Sequence, residues 1–464
     1  MARSRNRLLR IVSRARAAFA NVAKHISYPY LLCAATVLVL VSRLPWLSNG
    51  YGRDPDAYRV VSVARTILND GVYEASRLPG YPVHEYLVAL TAGANGPVVP
   101  NGLTALFSCA AFVFLSLILR VHQIRHHLLM AFAFALTPVV YINSVVTMDY
   151  MIALALSLGG VYFGIVGRPI IAGVMVGLSI GSRITAAAIL PPLVLWMMLE
   201  AGTFRPSRRI VQLCLTATAV AVVCFFPVIH RYGLAFLTYS DSVPYPTQQE
   251  FWRKVIVGVG GDVGVVSLLV LVSTLPFVLA RRWPAVTQRD RNTLAMCFGM
   301  IVIYFALFIR LPHEAAYLIP AVPFVAVVVA LVLPWRLSVA LALLMLPSSF
   351  VSLGPNGRPY LAGPILVDYW ARQASSREMT SILQAAQRLP MGSVLVAGWK
   401  LPQLMIERAE NDKPVCVYGL SDAQYRDYVA AGGRIYFLEG MNDFNMQTTG
   451  FDIASAGGTR LDPE

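Results

Sequence analysis

Runs of apolar residues alternate with short polar segments along most of this chain, and only its last hundred or so residues break the pattern. Each run is close to the length of about 20 residues that a helix needs to cross a bilayer. The pattern therefore predicts a polytopic α-helical membrane protein. We place about eleven spans, at 28–46, 101–119, 128–145, 151–166, two within 169–199, 210–229, 263–280, 293–309, 317–333 and 337–353.

The apolar stretch at 169–199 is too interrupted to be a single span. A Gly-Ser-Arg sequence at 181–183 and the pair Pro191-Pro192 divide it. Glycine and proline punctuate helices, and a guanidinium inside a membrane requires an anionic partner. We expect two short spans that meet near Arg183.

The longest polar stretch in the first part of the chain, 49–100, separates the first two spans. Apolar residues recur at positions 60, 63, 64, 67 and 68, which is helical spacing and predicts an amphipathic helix lying on the membrane. An Asn-Asp-Gly sequence at 69–71 ends this helix, and Pro79-Gly80 turns the chain into a second short helix over 83–92. This first polar loop is the most promising place for chemistry.

The pattern changes after residue 353, where no run is long enough to span a bilayer. Short apolar strands are predicted at 393–399, 414–420 and 434–439, and helices at 369–389, 401–409 and 422–431. This alternation is typical of a small α/β domain with a mostly parallel sheet. No GxGxxG or P-loop sequence occurs in it, so we assign it no nucleotide. The predicted divisions are a basic arm at 1–27, a membrane domain at 28–353 and an α/β domain at 354–464.

Composition and charge support this interpretation. The chain of 464 residues is 57% hydrophobic and 13% charged, whereas soluble domains carry about 25% charged residues. The net charge of +14 could indicate nucleic acid, but the basic residues flank apolar runs, as orientation signals do. We expect no nucleic-acid partner, a cytoplasmic N-terminus, and the first polar loop and the α/β domain outside the cytoplasm.

The N-terminal basic arm is not expected to be part of a cleaved signal peptide, because the first apolar run is too long and no small-residue cleavage site follows it. Five of the six cysteines lie within apolar runs, and no pair has metal-ligand spacing. We therefore predict neither a disulfide nor a zinc site.

Two carboxylates in the first polar loop, Asp54 and Asp56, are the leading candidates for catalysis. A carboxylate at a membrane surface can act as a general base on a hydroxyl or an amine, or can bind a metal. The structural alternative is that Asp56 caps the amphipathic helix through its side chain. The sequence pattern leaves both interpretations open.

Several guanidiniums accompany these carboxylates, among them Arg59, Arg77, Arg183 and Arg310. Arginine binds phosphate oxygens bidentately, although contact with lipid headgroups is the alternative for any one of them. Asp149 opens the fourth predicted span, where it either caps the helix or faces the cavity of Asp54. The pairs His84-Glu85 and His313-Glu314 lack HExxH spacing, so a zinc hydrolase is not indicated.

Five short motifs, taken in order, resemble the GT-C superfamily of integral-membrane glycosyltransferases. They are DPDAY at 54–58, RLPGYP at 77–82, the acid of TMDYMIALAL at Asp149, GLSIGSR at 177–183, and an element at 314–323 similar to ExRYxxPxxP. The superfamily includes protein O-mannosyltransferases, bacterial aminoarabinose transferases and oligosaccharyltransferase catalytic subunits. The resemblance covers roughly residues 1–330, and the chain departs from the fifth motif at Ala316, where the family has arginine.

The resemblance implies an inverting transfer of a sugar from a polyprenyl-phosphate donor to an extracytoplasmic lipid, polysaccharide or protein. By its match to the motif, Asp54 is the first choice for the catalytic base and Asp56 the second, and Arg310 or Arg183 would take the place of the arginine missing at Ala316. We expect no metal or other cofactor. The alternative is a divalent cation, which the oligosaccharyltransferases use. The residues assigned to substrate binding are Tyr58, Arg59, Arg77, Tyr81, His84, Glu85, Asp149, Arg183, Arg310, His313, Glu314 and Tyr317.

Two other functions compete with this one. A transporter or flippase of lipid-linked sugars would need polar residues along a path through the whole bilayer, whereas those of this chain cluster on the predicted outer side, apart from Arg183. A non-catalytic membrane protein would bind lipid through the same helical scaffold but would not catalyse transfer. Membrane lipids are partners in every case. The chain is compact and carries no eukaryotic retention signal, which suggests a bacterial inner membrane.

Overall fold

A computed structural model describes residues 28–94, 96–238, 245–259, 276, 280–283, 286–353, 358–408 and 414–462. The basic arm at 1–27 and nearly all of the span predicted at 263–280 lie outside these ranges. The described part of the chain is mostly helical, and a small sheet lies near its C-terminal end.

The first helices bracket the first polar loop. They are α1 (Tyr28–Arg43), α2 (Pro55–Asp70), α3 (Pro82–Ala89) and α4 (Val98–Val121), with a 3₁₀ turn at Leu44–Trp46 after α1. Helix α2 is the predicted amphipathic helix; it begins with Pro55, whose fixed φ suits a first helical position, and ends before Gly71 in the left-handed conformation. The predicted second helix of the loop is confirmed as α3.

The next group of helices contains two breaks. It consists of α5 (His127–Ala135), α6 (Pro138–Asn143), α7 (Tyr150–Ile165), α8 (Pro169–Ser182), α9 (Leu190–Glu200) and α10 (Arg208–Tyr232). The span predicted at 128–145 is interrupted before Pro138, whose lack of an N–H favours a helix start. Arg183 is extended at the end of α8 and a 3₁₀ turn, Ile184–Ile189, follows, so the predicted break near Arg183 is confirmed.

The next helices are α11 (Gln248–Arg253), which continues as a π turn over Lys254–Val259, α12 (Gln288–Arg310), α13 (Val322–Val332) and α14 (Trp335–Ser348). A 3₁₀ turn over Ala315–Ala321 leads directly into α13. Among the described residues, five helices are long and apolar enough to cross a membrane: Tyr28–Trp46, Val98–Val121, Arg208–Tyr232, Gln288–Arg310 and Ala315–Val332. Four shorter apolar helices accompany them, and the total of about eleven spans stays a prediction.

Small residues bring α8 and α10 into close contact. A Cβ atom on Gly173 would lie 2.8 Å from the carbonyl oxygen of Leu213, and one on Gly177 would lie 2.7 Å from that of Ala217. Membrane helices approach closely where glycine faces a neighbouring backbone. This contact fixes α8, and with it the position of Arg183 at its end.

The C-terminal part, which we call the tail, contains an antiparallel pair, β1 (Ser352–Leu353) with β2 (Pro359–Tyr360), and then an α/β segment. That segment runs α15 (Pro364–Gln387), β3 (Val394–Val396), α16 (Leu401–Glu407), β4 (Val415–Val417), α17 (Asp422–Ala430), β5 (Ile435–Phe437), α18 (Met441–Thr449) and β6 (Thr459–Arg460). Its four strands are all parallel in the order β4-β3-β5-β6. The predicted parallel α/β tail is confirmed; α18 and β6 were not predicted.

The tail packs directly on the first polar loop. Helix α16 lies against α2, and the Arg65 guanidinium donates to the carbonyl of Ile406 at 3.5 Å. The Asn49 amide donates to the carbonyl of Tyr369 in α15 at 2.8 Å, and Arg372 donates to that of Val145 at 3.0 Å. A polytopic helical protein with a C-terminal α/β part is confirmed, while the exact division at 353–354 stays a prediction.

Candidate active site

The N-terminus of α2 carries both candidate carboxylates. Asp54 is the N-cap, and its Oδ1 accepts from the backbone N–H of Asp56 at 2.9 Å. The capping role offered to Asp56 in the sequence therefore belongs to Asp54. The Asp56 carboxylate instead pairs with Arg59 at 3.0 Å and with Arg77 at 3.1 Å.

A chain of alternating charges continues from Arg77 into the membrane helices. Arg77 lies 2.9 Å from Asp149, and Arg183 lies 2.6 Å from the other oxygen of the same carboxylate. Asp149 is fully buried, so two guanidiniums compensate a charge that water does not reach. The anionic partner that Arg183 requires is therefore Asp149.

The turn that carries Arg77 is held by Glu85 from α3. The buried Glu85 carboxylate accepts from the Tyr73 hydroxyl at 2.6 Å, the Ser76 N–H at 2.7 Å and the Tyr81 N–H at 3.2 Å. The turn closes with a bond from the N–H of Gly80 to the carbonyl of Arg77, and Gly80 has a φ of 91° that favours glycine. Glu85 thus holds the turn in place rather than contacting the cavity.

Tyrosine rings surround the two guanidiniums. Arg183 lies 4.4 Å from the ring centre of Tyr150 and 5.0 Å from that of Tyr317, and Arg77 lies 4.2 Å from that of Tyr81. Such cation–π contacts hold a guanidinium in place without neutralising its charge. Arg183 therefore lies beside Tyr317, the residue that follows Ala316, where the family motif has its arginine.

A cavity of about 610 Å³ opens beside the α2 N-terminus. Glu314 lies in its wall and accepts a hydrogen bond from the Tyr150 hydroxyl at 2.8 Å. The cavity is lined by Gly52, Arg53, Asp54, Pro55, Val139, Ile142, Asn143, Val146, Met148, Tyr150, Glu314, Ala315, Ala316 and Asp368.

Two of the three carboxyls that line this cavity, Asp54 and Glu314, act on each other. Burial is the largest cause that raises the pKa of Asp54 to about 6; the charge and hydrogen bond of Glu314 act in the same direction, and the Asp56 N–H and Arg77 oppose them. Burial also raises the pKa of Asp56, with Arg77 opposing that shift. A carboxyl with a pKa near 6 can exchange protons close to neutral pH.

Other residues assigned to substrate binding lie away from this cavity. Tyr58 is buried, packs edge-on against Tyr51 with ring centres 5.4 Å apart, and shares a hydrogen bond with Glu407 of α16. The Arg59 side chain is 39% exposed beside Asp56. Tyr58 and Arg59 come four and five residues after the cap, and neither side chain lines the cavity.

The two histidines and Arg310 also lie outside the lining. His84 is fully buried near Asp149 and Arg77, neither of its ring nitrogens has a hydrogen-bond partner, and burial lowers its pKa to about 4. His313 precedes Glu314 and is half-buried, and Arg310 ends α12. None of the three lines the cavity of Asp54.

Arg53, Tyr150 and Asp368 are among the lining residues that sequence reasoning did not assign to the site. Tyr150 follows Asp149, so its position at the mouth of the same span was a usable signal. Asp368 belongs to α15 in the tail and pairs with Arg372 at 2.7 Å. No local pattern indicates that a tail helix reaches this cavity.

Among the described residues, no group of three or more His, Cys, Asp or Glu side chains could hold a metal ion. Asp54 and Glu314 would offer a divalent cation two carboxylates, the number that Mg²⁺ takes from proteins when waters and substrate phosphates complete its coordination.

Neither a family model nor a curated protein matches this sequence. The fold is similar to the crystal structure of ArnT from Cupriavidus metallidurans bound to undecaprenyl phosphate. The two chains are 12% identical, with a TM-score of 0.57, over 94% of this chain and 90% of that chain. The likeness shows that this chain shares the fold of that protein, in line with the GT-C-like membrane fold that its motifs predict.

Proposed function

We propose that this protein is a glycosyltransferase that moves a sugar from a polyprenyl-phosphate donor to an acceptor outside the cytoplasm. The GT-C fold, shared with a protein that was crystallised with undecaprenyl phosphate, supports a lipid-linked donor. The basic flanks of the spans support a site on the extracytoplasmic face of a bacterial inner membrane. The acceptor would be a lipid, polysaccharide or protein of the cell envelope.

The observation that carries the proposal is the half-buried Asp54 carboxyl, which faces Glu314 at a cavity and lies near Arg77. A general base works best when its pKa is close to the pH at which it operates. Asp54 would take the proton of the acceptor O–H or N–H as that atom attacks the anomeric carbon. Asp56, paired with Arg59 and Arg77, is the second choice.

The leaving group would be the polyprenyl phosphate. The bond between the anomeric carbon and the phosphate oxygen breaks, its electron pair stays on the phosphate, and the configuration at that carbon inverts. Arg77 and Arg183 are suited to stabilise this added charge, because their guanidiniums are held in place by Asp149 and the tyrosine rings. With Ala316 in the position of the family arginine, we assign the phosphate to Arg183 rather than Arg310.

The test uses purified full-length protein, a radiolabelled polyprenyl-phosphate sugar and an envelope extract as acceptor. Asp54→Asn keeps a good helix cap but removes the base, so transfer should fall by at least about 100-fold while donor binding is retained. Asp70→Asn is the matched control, because Asp70 is exposed at the other end of the same helix.

The same test includes Asp56→Asn. Transfer at the wild-type rate by both Asp54→Asn and Asp56→Asn would overturn the assignment of the base. Lost turnover with retained donor binding supports an enzyme over a transporter, because a transporter does not require proton abstraction from an acceptor.

A further inference from the structure

Three aromatic residues form a cluster at the carboxyl ends of the tail strands. Trp399 follows β3, Tyr418 follows β4, and Phe444 belongs to α18. The ring of Phe444 is edge-on to both others, with centres 5.2 Å from Trp399 and 5.1 Å from Tyr418. Trp399 is 44% exposed and Tyr418 is 43% exposed, so the cluster offers large aromatic surface to solvent.

The loops that carry the two exposed rings are fixed on α18. The buried Asn445 side chain accepts from the N–H of Leu420 at 2.7 Å and donates to its carbonyl at 2.9 Å. A Cβ on Gly419 would lie 2.9 Å from Asn445 Oδ1, and one on Gly398 would overlap the sulfur of Met441. Close backbone approach at two glycines therefore sets the positions of Trp399 and Tyr418 before any ligand binds.

The cluster lies where parallel sheets bind ligands. From β3 the chain goes to β4 on one side of the sheet and then returns to β5 on the other side of β3. Ligands of open parallel sheets bind outside the carboxyl ends of the strands, where the strand order reverses in this way. The Gly398–Lys400 turn after β3 is at that place.

We propose that Trp399 and Tyr418 bind a saccharide. The C–H face of a sugar ring packs against an aromatic ring, while its hydroxyls need polar groups beside that ring. Lys400 follows Trp399 in the chain and pairs with Glu378 of α15, and this ion pair supplies both a donor and an acceptor. Rigid aromatic rings bordered by fixed polar groups are typical of ligand sites.

The rival occupant is the bilayer surface, where tryptophan and tyrosine are also common. Two carboxylates at this edge of the sheet, Glu378 and Glu439, pair with Lys400 and Arg460, and a third, Asp443, lies in the first turn of α18. The cations of these two pairs are therefore matched by carboxylates and leave no excess of positive charge to attract an anionic membrane surface. The charge around the cluster therefore favours a saccharide.

The cluster is connected to the candidate active site through two packed helices. Helix α16 begins at Leu401, directly after the turn that holds Trp399, and lies against α2, which Asp54 caps. The inference rests on the proposed function, because the saccharide would be the glycan part of the acceptor. Binding at the tail would hold that acceptor while its nucleophile reaches Asp54.

The test measures binding of labelled full-length protein in detergent to an array of bacterial envelope oligosaccharides. Trp399→Ala and Tyr418→Ala should each weaken the strongest saccharide signal by about tenfold. Tyr360→Ala is the matched control, because Tyr360 in β2 is 52% exposed and does not belong to the cluster. Thermal unfolding of each variant shows whether the tail remains folded, and the two substitutions lie on different loops.

Asp54→Asn separates this inference from the proposed function. Saccharide binding that survives Asp54→Asn but is lost in the two aromatic variants supports the site, whatever the transferase assay gives. Absence of any saccharide signal from the wild type, or equal signals from the wild type and both aromatic variants, would overturn it. Quenching of Trp399 fluorescence by brominated lipids in nanodiscs, judged against Trp399→Phe, would overturn it in favour of the membrane.

Discussion

The guanidinium of Arg183 lies 2.6 Å from the carboxylate of Asp149, which also holds Arg77 at 2.9 Å. Asp149 precedes α7 and Arg183 follows α8, so the pair joins the ends of two adjacent helices. Two positive groups share one negative group at this point. Arg77 also pairs with Asp56 at 3.1 Å, so the two guanidiniums are held in fixed positions by two carboxylates, as suits a site that receives a phosphate.

Loss of this shared carboxylate should be costly. Asp149→Asn leaves Arg77 and Arg183 without their common partner in a buried setting, and breaking a buried ion pair costs about 3–5 kcal/mol. We expect a clearly lower midpoint in thermal unfolding of the detergent-purified protein. Asp422→Asn is the control, because the Asp422–Arg426 pair is exposed, and it should change little. Equal midpoints for the two variants would contradict a structural role for Asp149.

The pH dependence of transfer should report Asp54. Its pKa is raised to about 6, so kcat/KM should fall as the pH drops through that value, because the base becomes protonated. Glu314→Gln removes the neighbouring acid, which is one cause of the raised pKa, and should move this fall to lower pH. The measurement is kcat/KM for both proteins from about pH 5 to about pH 8. An acid limb that is identical in Glu314→Gln would show that another group controls it.

The turn that carries Arg77 should depend on a single hydroxyl. Tyr73→Phe removes the donor that lies 2.6 Å from the buried Glu85, and a charged acceptor left with fewer partners costs about 1–3 kcal/mol. We expect a lower unfolding midpoint together with reduced transfer, since the turn positions Arg77. Tyr86→Phe is the matched control, because Tyr86 stacks on Tyr73 and is 42% exposed. A midpoint no lower than that of the control would contradict this role of Tyr73.

Any side chain at Gly177 should disrupt the packing of α8 on α10. A Cβ there would lie 2.6 Å from the Cβ of Val220, and overpacking of this kind costs about 1–3 kcal/mol. Gly177→Val should therefore lower the unfolding midpoint and displace Arg183 at the end of α8, which should reduce transfer. Gly93→Ala is the control, since the nearest atom to a Cβ at Gly93 is 4.0 Å away. Unchanged stability in Gly177→Val would mean that the two helices separate easily.

Local pattern was sufficient for much of the fold. The amphipathic α2, the break at Arg183 and the parallel strands of the tail each follow from periodicity or turn residues within a short window. The interruption before Pro138 was missed because the apolar run continues through it.

The candidate site was harder to predict, because it depends on contacts between distant parts of the chain. Asp54 interacts with Glu314, and Asp368 of α15 lies in the wall of the same cavity. These residues are too far apart in the sequence for any local pattern to relate them. Tyr58 was assigned to substrate binding from its place in the motif, but the turn of α2 directs it towards Tyr51 and α16. The sequence indicated which side chains could act in catalysis or binding, and tertiary packing decided which of them lie together at the cavity.

The presence of Asp368 in the cavity wall has an evolutionary consequence. A change in the length or tilt of α15 would reshape the opening next to Asp54 without touching any transmembrane residue. Chimeras that exchange only the segment after residue 353 between related proteins should therefore exchange acceptor preference while keeping the donor.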